Sequence, residues 1–337
     1  MYRRVAASDG TTAAVYQTMI LTANLLMAVC AIYALLFFSR FGLALAVFTL
    51  VADTALIHWQ AYYVDRQLRR TEWGPEAFVG LRLRELAIRW LPWVLTIGCQ
   101  QTLLKLPVMQ RVVGHLSPRM QTLIGTLVAL GMVLLITAFL GPLLVRLFLR
   151  TRPLPDGPLR QYLAELGAWL GTPVGDLRVS VSPGGRIANA WVTGLWGRQR
   201  TVILSDHLLQ VLDPAEIGAV FAHEVGHARL GHLPKRMAVA AGTVAGLAVL
   251  SWLAGSLPGA PLVLFLLFVT LPWLTAAFVQ RRFELAADRF AAERLGPAVM
   301  ASALRKIAGR GARLPGWLIW IRTHPPLEVR LAALGAR

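Results

Sequence analysis

Six apolar runs, at 13–38, 41–59, 86–106, 120–149, 237–257 and 262–279, are each long enough to cross a hydrocarbon core of about 30 Å as a helix. Four precede residue 150 and two follow residue 236, and between the groups the pattern changes. PLRQYLAELGAWLG, from Pro158, keeps a helical period, while LRVSVS, RIANAWV and RTVILSD alternate and predict a small antiparallel sheet with a turn near 196–198. A further helix begins at Asp213, an N-cap with Pro214 at the first helical position and Glu216 three residues on, and carries AVFAHEVGHARLGH. A last helical stretch, RRFELAADRFA, covers 281–291, and a Pro/Gly cluster at 153–158 closes the first membrane block. The chain therefore divides into an N-terminal membrane domain (1–149), a domain with the small sheet and the HEVGH helix (150–236), a membrane hairpin (237–280) and a C-terminal part of that second domain (281–337). The expected fold is mainly α, a polytopic membrane protein with about six transmembrane helices and an α+β domain.

Composition agrees with spans rather than a soluble core: 56% of residues are hydrophobic and only 15% charged. The first run is too long for a cleavable signal peptide and lacks a small-residue cleavage site, so it should persist as a helix. A net charge of +17 could suggest nucleic acid, but the charges are spread around the spans and no nucleic-acid motif accompanies them. Topology accounts for them better. With the N terminus inside, the outer connections hold only Arg40, Lys105, Arg111 and Arg119, whereas the inner segments hold Arg3, Arg4, Arg66, Arg69, Arg70, Arg82, Arg84 and the basic region 146–236. The α+β domain is thereby expected on the cytoplasmic side, and the arginine-rich, lysine-poor composition points to a prokaryote. EWGPEAFVGLRLRELAIRW is basic and amphipathic and is expected either on the inner membrane surface or packed against the α+β domain. Cys30 and Cys99 fall inside expected spans, so no disulfide framework or thiolate site is suggested. Asp53 and His58 are ionisable groups within the second run, to be read as lining a cavity or as interfacial.

The chemistry concentrates at HEVGH. His223 and His227, four residues apart, stand on one helix face and can converge on one ion, while Glu224 lies about 100° further round, placed to act as general base without ligating. A catalytic zinc needs a third protein ligand, and Glu284 is the candidate. Asp288, one turn on, could accept the second ring N–H of a ligating histidine. The alternative is that both carboxylates form a solvated face paired with Arg281, Arg282 or Arg289. His232, about 500° beyond His227 on a continuous helix, falls off the ligand face, and His207 and His115 have no partner pattern. His324 precedes two prolines that fix its exit from the preceding segment, and Arg330, one turn further, either holds a carboxylate of the site or pairs locally near Glu328.

HEVGH, ELAAD and THPPLEVRL, in that order, resemble the integral-membrane gluzincins that include the CAAX prenyl endopeptidases and the HtpX-type heat-shock proteases. Residues 148–235 look most like the prenyl endopeptidase branch. The resemblance implies one Zn2+ per chain, held by His223, His227 and Glu284, and metal-assisted hydrolysis of peptide bonds with Glu224 as base. It also implies substrate-backbone binding by Asn189, which matches the Asn of the family's NA(F/Y) motif, and oxyanion stabilisation by His324. Partners would be the bilayer and a peptide or protein substrate, prenylated or simply presented at the membrane. The chain departs from the prenyl endopeptidases in being shorter, with six expected spans in place of seven, and from the HtpX type in having four spans before the catalytic block in place of two. Two other readings stay open: quality control of damaged membrane proteins, and a zinc-binding scaffold or transporter without hydrolysis. Against a transporter, Asp53 alone suggests a carboxylate near a midplane.

Overall fold

The computed structural model describes residues 42–69, 72–181, 186–254, 257–308 and 323–336. The N-terminal block is built from α1 (Gly42–Arg69), α2 (Pro75–Leu103), the short α3 (Pro107–Val113) and α4 (Pro118–Phe148). Proline opens α2, α3 and α4 in the first turn, where its missing N–H leaves no bond unmade. Among the described residues, four segments are long and apolar enough to cross a membrane: Gly42–Gln67, Pro118–Phe148, His232–Ala254 and Ala260–Leu295. They coincide with four of the six expected runs. The 13–38 run lies outside the described residues. The 86–106 run falls in α2 as far as Leu103, where Arg89, Gln100 and Gln101 dilute the apolar stretch, and α2 is not one of the four.

The basic amphipathic segment and most of that expected third span form one continuous helix, and its N-terminal half meets the α+β domain. Leu81 and Ile88 of α2 pack with Val145 and Leu149 against Ile203 and Trp191 of the sheet, and Arg146 donates from Nη2 to Thr201 Oγ1 at 3.0 Å. The membrane helices thus seat the sheet directly. In α1, His58 is buried with Nδ1 2.8 Å from its own helix's Thr54 carbonyl oxygen, while Asp53 is partly exposed.

The sheet contains β1 (Thr151–Pro153), β2 (Asp176–Ser180), β3 (Ala190–Thr193) and β4 (Thr201–Ser205) in the order β1-β2-β4-β3. It is mixed rather than antiparallel: β1 runs against β2 and β3 against β4, but β2 and β4 are parallel, with Leu177 opposite Val202. Burial explains the order. TVILS is buried at every position, a pattern that needs cover on both faces and a central place, whereas β3 is partly exposed throughout and takes the edge.

Below the sheet lie α5 (Pro158–Trp169), the short α6 (Asp206–Val211), α7 (Pro214–Arg229) and α10 (Pro297–Ala308). Leu163, Val202, Leu204, Phe221, Val225, Phe290 and Met300 belong to one buried cluster that joins them. The expected start of α7 is present in full. Asp213 Oδ1 accepts from the Glu216 amide at 2.9 Å, and Glu216 Oε2 accepts from the Asp213 amide at 3.0 Å. Two long helices complete the chain's second half, α8 (His232–Ala254) and α9 (Ala260–Leu295), followed by α11 (Leu327–Ala333). The last half of α9 packs against α7 closely enough that a Cβ added to Gly226 would meet Phe290 Cδ1 at 3.0 Å. That close approach sets the two motif-bearing helices face to face.

Candidate metal centre

Helix α7 supplies two imidazoles and α9 a carboxylate, and one donor atom from each of His223, His227 and Glu284 lies within 4.8 Å of the other two. The Nε2 atoms are 3.2 Å apart, and they stand 3.7 Å (His223) and 3.5 Å (His227) from Glu284 oxygens. Tetrahedral zinc at about 2.05 Å from its ligands holds donors about 3.3 Å apart; the imidazole pair matches that separation, and Glu284 approaches it with one oxygen near each ring. The donor types, two imidazoles and one carboxylate with a fourth position left for water or substrate, fit catalytic rather than structural zinc.

Each donor has a partner on its far side. His223 Nδ1 stands 2.9 Å from Oδ1 of Asp288, which is fully buried and also receives both arms of Arg330, Nε at 2.7 Å and Nη2 at 2.6 Å. The forked guanidinium–carboxylate pair satisfies a charge that could not otherwise sit away from water. Of the two positions the sequence left open for Arg330, it takes the one on a site carboxylate. Likewise Glu284 and Asp288 face the histidines rather than a solvated arginine face. Glu284 Oε1 accepts from Gln280 Nε2 at 2.6 Å, and Gln280 Oε1 in turn accepts from Arg236 at 3.1 Å. His324 brings Nδ1 to 2.9 Å from Glu284 Oε2 while most of its ring stays exposed to the cavity.

Electrostatics prepare the α7 groups for different tasks. Burial, with His223 next in weight, pushes the His227 ring down to about 3, so it stays neutral with a lone pair free for a metal. Burial alone would also depress His223, but Asp288 beside Nδ1 outweighs it and raises that ring. Glu224 is pushed up to about 7, chiefly by burial; nearby His223 opposes the rise and Glu284 adds to it. A carboxyl poised near neutrality can both take and return a proton at working pH.

These groups open onto a cavity of about 540 Å³ between β3 and the helices, whose lining includes Asn189, Trp191, Val192, Glu224 and His324. The Asn189 backbone is tied to Ser205, its amide donating to Oγ at 3.0 Å and its carbonyl accepting from the Ser205 amide at 2.9 Å, which fixes the start of β3 at the cavity mouth. All seven residues singled out in the sequence thus face one cavity or its immediate wall. Three neighbours were not singled out. Gln280 sits one turn before Glu284 on the same helix, a spacing that could have revealed it. Arg236 reaches the centre only through tertiary packing. His232 falls off the ligand face only on a wheel drawn for an unbroken helix. The chain instead turns at Gly231, at φ +66°, and α8 starts at His232, whose Nδ1 comes to 2.8 Å from Nδ1 of His227.

Comparison with known proteins gives the same picture from outside the structure. The model of peptidase family M48 matches residues 153–337. A protease HtpX homolog of Syntrophotalea carbinolica is 30% identical over 221 residues, covering 55% of this chain and 78% of that protein. A CAAX prenyl protease 1 homolog of Arabidopsis thaliana is 36% identical over 91 residues, covering 27% of this chain and 22% of that one. The crystal structure of S. mikatae Ste24p superimposes with a TM-score of 0.65 at 19% identity, over 86% of this chain and 74% of that one, a likeness of fold. With its apolar helices and a matched region that holds every group of the candidate centre, the chain belongs to peptidase family M48 and is a membrane metalloprotease.

Proposed function

We propose that the protein is a zinc-dependent endopeptidase that cuts peptide bonds presented at the membrane, with its active site on the cytoplasmic side. His223, His227 and Glu284 would hold the metal. When bound, zinc polarises the scissile carbonyl and lowers the pKa of a water toward about 7. Glu224 accepts a proton from the attacking water and returns it to the departing amine. Asp288, held by Arg330, orients His223 through Nδ1. β3 lies at the sheet edge beside the cavity, so an extended substrate can add to it through main-chain hydrogen bonds, with Asn189 binding its backbone. His324, exposed beside Glu284, donates to the oxyanion as the carbonyl becomes tetrahedral, a contribution worth about 3–4 kcal/mol at such positions.

The observation that carries this reading is the convergence of His223, His227 and Glu284 donors within 4.8 Å, with the two Nε2 atoms 3.2 Å apart and Glu224 beside them. Substrate choice between two classes has separate support. Likeness to prenyl proteases is strong but short, whereas the HtpX likeness runs through most of that relative's length, which favours damaged membrane proteins as a second reading. Detergent-purified protein and its Glu224→Gln variant, offered a C-terminally prenylated peptide and its unprenylated twin, test both. The variant should keep its zinc and lose cleavage by at least about 100-fold, the lower end for removing a general base. Retained cleavage overturns the mechanism. Cutting of the prenylated peptide alone assigns a lipid-reading protease, and equal cutting of both assigns the quality-control role.

A further inference from the structure

His232 has no role in the scheme above, yet its surroundings are those of a built contact. It is buried, at 6% exposure, and its ring lies flat on Phe283 with centroids 4.1 Å apart and planes within 5°. Its Nδ1 points at Nδ1 of His227 from 2.8 Å. The other nitrogen of His227, Nε2, faces His223 and Glu284. A neutral imidazole that offers its Nε2 lone pair to a metal carries its proton on Nδ1, and that proton needs an acceptor when buried. Only a nitrogen lone pair can receive it here, so His232 must be the tautomer protonated on Nε2. Each ring then fixes the proton position of the other.

We propose that His232 is a positioning residue of the metal site: it accepts the His227 Nδ1–H and holds that ring with Nε2 turned toward the ion, as Asp288 does for His223. The two histidines thus have different orienting partners, a carboxylate for one and a neutral ring for the other. The turn at Gly231 makes the contact geometrically available, because a continued helix would carry residue 232 away from His227. Phe283 clamps the ring from α9, one residue before Glu284, so the same helix that supplies the carboxylate also sets the orienting histidine.

This inference rests on the zinc reading, and the test separates the two. Full-length protein is stripped of metal and titrated with zinc against a chromophoric chelator, and the Co2+-substituted forms are compared by their visible absorption. His232→Phe keeps an aromatic ring to stack on Phe283 but removes the acceptor, whereas His232→Asn places Oδ1 where Nδ1 stood. His232→Phe should bind zinc about 10–100-fold more weakly, the usual cost of losing such a partner, and shift the Co2+ bands. His232→Asn should restore both toward wild type, and the metal-free melting temperatures of all three should coincide. Wild-type affinity in His232→Phe overturns the proposal, as does an Asn variant no better than Phe or a loss traced wholly to a lowered metal-free melting temperature. If the unmodified protein takes up no zinc, the metal reading itself falls and this proposal with it.

Discussion

Asp288 is the residue whose loss separates a positioning role from a packing role. It is sealed from solvent between His223 and the fork of Arg330, so Asp288→Asn leaves the guanidinium with only the more distant Glu284 carboxylate, at 3.9 Å, and His223 Nδ1 facing an amide that can turn either its oxygen or its NH2. Breaking one side of a buried pair costs about 3–5 kcal/mol, and disturbing a ligand's outer partner costs about 10–100-fold in metal affinity. The expected outcome is both a lower unfolding midpoint and weaker zinc binding, read by thermal scanning of the metal-free and loaded forms. A variant that loses stability yet binds zinc as tightly as the parent would show that Asp288 serves packing alone. Glu224 and His227 illustrate how little sequence distance such tuning needs. Three residues apart on one helix, one is pushed up to about 7 and the other down to about 3, because withdrawal from water works against whichever form carries charge.

At the scale of elements, α7 is anchored twice at its N-terminal end, and only one of the anchors is legible in the sequence. DPAE gave away the capping box, since Asp213 and Glu216 have the residue types and spacing that pair the two amides reciprocally. What the sequence could not convey is that Glu216, 3% exposed, also accepts from Ser302 and Lys306 of α10, each at 2.6 Å, because those partners lie 86 and 90 residues on. Burial would raise this carboxyl, but the hydrogen bonds from Lys306, Ser302 and the Asp213 amide together hold it below its ordinary 4.5. A depressed folded pKa means stability that is fully present above about 4.5 and is lost as pH falls through the lowered folded value. Glu216→Gln should therefore lower the melting temperature above pH 5 and flatten its decline below pH 4.5; an unchanged acid limb would show that Glu216 does not govern it. The sheet and the α7–α8 junction were illegible for related reasons. Alternation in RIANAWV and RTVILSD marks strands, but strand order depends on which one can be covered on both faces, and TVILS won the centre. HARLGH reads as one helix on a wheel, and only the left-handed Gly231 shows that it is two. The grouping of His223, His227 and Glu284 is legible because it rests on i, i+4 geometry and a second motif, whereas the nearness of Arg236 is not, because only the fold brings it there.

For the whole molecule, the hairpin of α8 and α9 fixes the site's depth. Helix α9 has 36 residues, about 54 Å at 1.5 Å per residue, which exceeds a hydrocarbon core of about 30 Å by about 24 Å. Glu284 lies about 36 Å along it, just past the core, and His232 begins α8 at the same end. In the proposed arrangement, with both helices crossing the bilayer from these ends, histidines and carboxylate meet where the two spans leave the membrane, within reach of peptide bonds held at that surface. Which surface it is follows from charge: the short connection around Leu257 has no Lys or Arg from 255 to 261, whereas Arg229, Lys235, Arg236, Arg281 and Arg282 flank the other ends. The positive-inside rule then predicts Leu257 outside and the proposed metal centre in the cytoplasm. In a background with Cys30 and Cys99 replaced by serine, single cysteines at Leu257→Cys and Arg229→Cys report this directly, since both positions are exposed. A membrane-impermeant maleimide should label position 257 only in right-side-out vesicles and position 229 only in inverted ones. The opposite pattern would place hydrolysis on the outer face and remove cytoplasmic substrates from consideration, while labelling of both positions from one side would mean that α8 and α9 do not each cross the bilayer.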